Sequence, residues 1–222
     1  DNQVIESVSN YVLANILSIT SGIHQNRIMQ TSDWRNKMSK GISDTTVGII
    51  GVGRIGFSLL NKLLRFPFKK FLLYDLVELK LEENFTTEQL SKIQQVSLMT
   101  CLSDSDIVTL HVPLHESTTN LLNETNLNLM ASDSWLINSS RGAVVNEKDL
   151  YKFLEEGRLG GAVLDVFSDE PYSGPLINLR NAILTPHIAT YNLQTRIEME
   201  TFLVSIALDF ISKFNPTDIE DY

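Results

Sequence analysis

Apolar positions along this 222-residue chain fall into short runs, set apart by polar turns that often carry glycine or proline. Val4, Ile5, Val8, Val12, Ile16 and Ile19, with Tyr11 and Leu13, predict a long helix over 4–19 that is apolar enough to require burial. Residues 22–46 are mixed and polar and read as an arm carrying Trp34 and Arg35. The period then changes. Largely apolar runs at 47–50, 71–74, 107–112, 135–138, 162–166 and 182–184 predict strands of a sheet covered on both faces. Between them Leu59, Leu60, Leu63 and Leu64 predict a helix, and Ser97 reads as the cap of a short one carrying Leu98, Cys101 and Leu102. Further helices are expected near 123–130, at 147–154 before Gly157, and from Leu193 to Phe214 ahead of Pro216. Residues 76–95 are the least legible stretch, with room for a short helix within 86–93. Strands and helices alternating through short links specify the α/β class and a doubly wound, mostly parallel sheet.

The first strand runs straight into Gly51-Val52-Gly53-Arg54-Ile55-Gly56, three glycines at the G-x-G-x-x-G spacing, and then into a helix. Strand, glycine turn and helix in that order are the context a dinucleotide-binding (Rossmann) fingerprint requires. Gly51 permits the tight turn, Gly53 a close approach of backbone to pyrophosphate, and Gly56 close packing of helix on strand. Phosphates would sit at the first turn of the helix, with Arg54 and Ile55, where unpaired N–H groups and the dipole favour anions. Asp75 ends the second strand, where a carboxylate can bond the adenosine ribose hydroxyls.

Composition adds limits. An apolar content of 43% with 20% charged residues describes a soluble globular protein, and a net charge of −9 argues against a nucleic-acid surface. The lone Cys101 precludes an internal disulfide and, beside the cofactor signal, favours a reducing, cytoplasmic compartment. No apolar run reaches the roughly 18–20 residues of a membrane span. The chain opens on Asp1 with neither Met nor a signal-peptide pattern, and so is expected to derive from a longer polypeptide.

In such sheets ligands bind beyond the carboxyl ends of the strands. The polar residues at those ends are Asp75, His111, Ser139, Ser140, Arg141, Asp165, Glu170 and His187. Each has a plainer reading. Arg141 before Gly142 fits a surface turn, Glu170 before Pro171 a solvated loop, and a histidine behind proline a packed side chain. His24 and His115 sit in polar surroundings and are expected at the surface.

Taken together, four stretches resemble the D-isomer-specific 2-hydroxyacid dehydrogenases, in particular the phosphoglycerate dehydrogenase-like members. They are the glycine motif, residues 104–114 (DSDIVTLHVPL), residues 138–142 (NSSRG), and residues 164–171 (LDVFSDEP) leading to Thr185-Pro186-His187. The resemblance covers residues 4–190 and implies that Arg141, Glu170 and His187 match the family's catalytic trio. It further implies that Asp165 contacts the nicotinamide carboxamide, with Thr118 and the segment His111, Val112 and Pro113 lining the adenosine side. Ser139, Ser140, Arg141 and His187 would border the same coenzyme, NAD. No metal site is expected.

The chemistry suits such residues. Reduction of a 2-keto acid needs a hydride at carbon and a proton at oxygen. A protonated His187, paired with Glu170, can supply that proton, and the planar fork of Arg141 can grip carboxylate and carbonyl oxygens. Asp75 favours NAD over NADP, because a 2′-phosphate would meet a like charge. Members of the family also carry a substrate-binding domain before this region, whereas only 46 residues precede Val47 here. The expected division is a crossover helix and dimerisation arm (1–46), an NAD-binding domain (47–190), and a C-terminal helix returning toward a substrate domain largely absent from the sequence (191–222). The expected partners are a small 2-hydroxy or 2-keto acid and a second copy of the chain. A non-catalytic NAD(H) sensor or corepressor-like dimer is the alternative reading.

Overall fold

The computed structural model describes residues 2–24 and 38–213. Trp34, Arg35 and Phe214, with Pro216, lie outside the described residues. Seven strands form one sheet: β1 (Thr46–Ile50), β2 (Lys70–Tyr74), β3 (Ile93–Gln95), β4 (Ile107–Leu110), β5 (Trp135–Asn138), β6 (Gly161–Leu164) and β7 (Ala182–Leu184). Every pairing is parallel and the order is β3-β2-β1-β4-β5-β6-β7. The order reverses between β1 and β4, which opens a crevice at the carboxyl end of β1. The α/β, doubly wound parallel sheet expected from the alternation is therefore the fold observed.

Helices cover both faces. Helix α1 (Asn2–Thr20) lies on α2 (Arg54–Leu63), and their buried Val12, Ile16, Leu59, Leu60 and Leu63 pack with Val47, Ile49 and Phe71 of the sheet. The opposite face takes α4 (Leu98–Ser103), α5 (Glu124–Leu127) and α6 (Glu147–Glu155), whose Cys101, Leu102, Leu127, Leu150 and Phe153 pack with Ile50, Val108 and Leu136. Consecutive β1 residues thus serve opposite faces, as a pleated strand buried on both sides must. The short α3 (Thr87–Leu90) opens with a capping box, Thr86 and Gln89 each bonding the other's backbone N–H. Helix α7 (Leu193–Lys213) closes the described chain and touches α1 at its start.

Three expectations need correction. The strand β3 was not predicted, because Ile93-Gln94-Gln95 has a single buried apolar residue and lies at the sheet edge. The 107–112 and 162–166 runs pair only to Leu110 and Leu164, since the chain beyond leaves the sheet to build loops. His24 is half-buried, stacked on the Trp135 ring with centroids 6.2 Å apart, and not a surface residue.

Register decides what the strands present. Tyr74, Ile50, Leu110, Asn138, Leu164 and Leu184 are successive partners across the sheet. The residues that follow them, Asp75, Gly51, His111, Ser139, Asp165 and Thr185, therefore form one carboxyl rim.

Candidate active site

The glycine loop lies at the middle of that rim. Gly51 adopts φ +89°, a left-handed conformation that favours glycine, and a Cβ there would stand 2.9 Å from the His111 carbonyl and from Val112 Cγ1. A Cβ on Gly56 would come within 2.2 Å of the Gly51 carbonyl oxygen, so helix α2 can press onto the loop only with glycine there. Gly53 is different: a Cβ there would meet nothing within 4 Å, so the backbone faces open space. It is also the N-cap of α2 and offers no side-chain cap to the N–H groups of the first turn, which holds Arg54 and Ile55. Asp75 Oδ2 accepts the Val52 N–H at 2.7 Å and Oδ1 the Val77 N–H at 3.2 Å, so the carboxylate also ties the loop to β2.

The segment that follows β4 is ordered by its own contacts. Thr118 Oγ1 donates to the Pro113 carbonyl at 2.7 Å and accepts the His115 N–H at 2.8 Å. His111 Nε2 lies 3.0 Å from Thr109 Oγ1, and burial pushes its imidazole down to about 4, which makes it neutral near pH 7. Beyond β5, Asn138 organises the turn that follows: its Oδ1 accepts the Ser140 N–H and hydroxyl at 3.0 and 2.8 Å, and its Nδ2 donates to the Arg141 carbonyl at 2.9 Å. Ser139 Oγ is buried with no hydrogen-bond partner among the described residues, a donor and acceptor awaiting a ligand. An open approach at Gly53, a carboxylate at the end of β2 and an orphaned hydroxyl at the end of β5 together fit a dinucleotide.

The catalytic candidates lie at the far side of the rim. His187 Nδ1 and Glu170 Oε2 are 2.9 Å apart, and Glu170 Oε1 accepts the Phe167 N–H at 3.0 Å. The hydrogen bond from His187 holds the Glu170 carboxyl below the usual carboxylate range. A cavity of about 510 Å³ opens beside the pair, walled by Phe167, Tyr172, Ile177 and Leu184. Arg141 is exposed, its Nη1 donating to the Ser140 carbonyl at 2.6 Å. The next residue, Gly142, presses on the Phe167 backbone so tightly that a Cβ would fall 1.9 Å from its carbonyl carbon. The arginine loop is thereby seated against the loop that bears Glu170. Asp165 is fully buried, and its carboxylate accepts three donors: Thr185 Oγ1 at 2.6 Å, Ile188 N–H at 2.8 Å and Ala189 N–H at 2.8 Å. Its observed work is to hold the segment that carries His187. Tyr11 and Ser7, which complete that hold together with Thr185, carried no local signal in the sequence. A separate cavity of about 550 Å³, between the starts of α1 and α7, shares no lining residue with the one beside the pair.

Residues 13–189 match the family described as D-isomer specific 2-hydroxyacid dehydrogenase, NAD binding domain. The chain belongs to that family. Among curated relatives, it is similar to the glyoxylate reductase of Thermofilum pendens, 34% identical over 204 residues that cover 87% of this chain and 58% of the relative. The glyoxylate reductase of Korarchaeum cryptofilum is 38% identical over 181 residues, covering 80% and 53%. Among solved structures, the NAD complex of a D-isomer specific 2-hydroxyacid dehydrogenase from Lactobacillus delbrueckii ssp. bulgaricus superposes with a TM-score of 0.78 at 26% identity, covering 96% of this chain and 68% of that one. The Aquifex aeolicus D-lactate dehydrogenase complexed with NAD and lactic acid gives 0.77 at 28%, covering 94% and 67%. The chain spans about half the length of the curated relatives it matches. The dehydrogenase family thus accounts for the glycine loop and supplies NAD as the cofactor class.

Proposed function

We propose that this chain is the coenzyme-binding part of an NAD-dependent dehydrogenase interconverting a D-2-hydroxy acid and its 2-keto acid. The observation that carries the reading is the contact between Glu170 and His187 on the same rim as the glycine loop. The glycine loop, Arg54, Ile55, Asp75, the His111 to Pro113 segment, Thr118 and Ser139 would hold the coenzyme, which would give the hydride in its reduced form and take it in its oxidised form. Glu170, kept anionic, fixes the imidazole through Nδ1. Nε2 remains to give a proton to the keto oxygen, or to take it back in oxidation. Arg141 binds the substrate carboxylate through its planar donors. Asp75 repels a 2′-phosphate and sets a preference for NAD of about tenfold or more.

The relatives named glyoxylate reductase and D-lactate dehydrogenase point to a small 2-keto acid as substrate. The division proposed for the chain is a crossover helix with a dimerisation arm (1–46), the NAD-binding domain (47–190) and a returning helix (191–222). Two copies pair through the first of these, and the compartment is cytoplasmic. Titration with NADH and NADPH by fluorescence tests the coenzyme assignment, and equal or reversed affinities remove Asp75 from its role. In the full-length protein, NADH oxidation with glyoxylate, pyruvate and hydroxypyruvate tests the chemistry. His187→Ala should abolish turnover while NADH still binds; near-normal turnover would sink the mechanism. NADH binding with no turnover of any keto acid by the parent would favour the sensor reading instead.

A further inference from the structure

His187 stands in the left-handed backbone region at φ +54°, a conformation a non-glycine residue keeps only where its surroundings hold it. Part of the hold is local: the His187 N–H bonds the Asp165 and Thr185 carbonyls, and the Asp165 carboxylate takes the next two N–H groups. The rest comes from α1, at the other end of the chain. Ser7 Oγ donates to the Ala189 carbonyl at 2.6 Å and accepts from Asn192 Nδ2 at 2.6 Å. The Tyr11 hydroxyl is 2.6 Å from Thr185 Oγ1. The single Thr185 hydroxyl proton goes to Asp165 Oδ1, so Tyr11 must be the donor to Thr185. Burial, with the nearby Asp165 charge, pushes the Tyr11 phenol up to about 12 and keeps that proton in place.

Ser7 and Tyr11 are four residues apart and therefore share one face of α1. Thr195 Oγ1 on the Gln3 carbonyl, at 3.5 Å, extends that face by one more turn. Neither hydroxyl is needed to dock the helix. Val8, Val12, Ile16 and Ile19 are buried beneath it, and Lys62 Nζ fastens it through the Glu6 carboxylate at 2.8 Å, Ser9 Oγ at 2.7 Å and Asn10 Oδ1 at 2.7 Å. We infer that Ser7 and Tyr11 are positioning residues through which α1 sets the backbone of the His187 segment and hence the place of the imidazole. The inference rests on the reading of His187 as the acid–base group.

The test uses the full 222-residue chain with Tyr11→Phe, Ser7→Ala and Ser7→Thr. Three quantities are read: amide exchange at Ile188 and Ala189, the His187 ring Cε1–Hε1 NMR signal, and NADH affinity. Tyr11→Phe, which loses one hydrogen bond, should speed exchange about fivefold, and Ser7→Ala, which loses two, at least as much. Each should also displace or broaden the His187 signal, while NADH affinity changes by less than about twofold because neither side chain reaches the glycine loop. Ser7→Thr, which keeps the hydroxyl, should behave as the parent. If Tyr11→Phe does not fold, Ser7→Ala against Ser7→Thr carries the test. Unchanged exchange and an unmoved ring signal in the folded variants would overturn the inference. A parent chain that binds no NADH would overturn the coenzyme reading instead, with the exchange data still deciding whether α1 holds the loop.

Discussion

Replacing Asp165 by asparagine alters one atom in the most connected buried group of the site. The carboxylate now accepts Thr185 and Ile188 at Oδ1 and Ala189 at Oδ2. With the amide oxygen at the Oδ1 position, the new NH₂ faces the Ala189 N–H, and two donors confront each other. With the amide flipped, Thr185 can turn to accept, but the Ile188 N–H then loses its partner. Either way at least one charge-assisted bond is lost, worth about 1.5–3 kcal/mol, and a buried N–H is left bare at roughly 1–3 kcal/mol. Relief from burying an anion offsets part of this, so Asp165→Asn should destabilise the fold by about 3 kcal/mol. Urea denaturation at constant m measures it, and amide exchange at residues 187–189 should rise in parallel. A loss below about 1 kcal/mol with unchanged exchange would refute the claim that these three bonds hold the histidine segment.

Gly56→Ala places a methyl 2.2 Å from the Gly51 oxygen, which forces the loop off α2; a stability loss of about 1–3 kcal/mol and loss of NADH fluorescence enhancement are expected. His111 is neutral when folded but titrates near its ordinary 6.5 when unfolded, so the unfolded chain binds more protons between those values. Stability is therefore complete above pH 6.5 and lost as pH falls toward about 4, by up to about 3 kcal/mol, and His111→Gln should remove that component from a pH series of denaturation midpoints. Glu170, held low by His187, loses its share of stability as pH falls below the usual carboxylate range, and Glu170→Gln should flatten the curve there. Sedimentation at micromolar concentration should show a dimer; a monomer would count against pairing through 1–46.

The parts of this protein that depend on neighbours in the chain were legible from its sequence. The glycine loop is one such part, because Gly51, Gly53 and Gly56 answer local demands of turn, approach and helix packing. The central strands are another, since burial on both faces leaves unbroken runs such as Val47 to Ile50. The rim candidates follow from strand ends for the same reason. The edge strand β3 escaped because one buried residue in three leaves no run, and its pairing is supplied by β2. What only the tertiary structure decided is which groups meet. Asp75 clasps Val52 across 23 positions, and Tyr11 reaches Thr185 across 174. Such contacts leave no period or spacing behind, because they are fixed by sheet register and helix packing. The same holds for Asp165. Its place after a strand does not announce that in the fold it is fully buried and accepts from Thr185, Ile188 and Ala189, on either side of a left-handed His187.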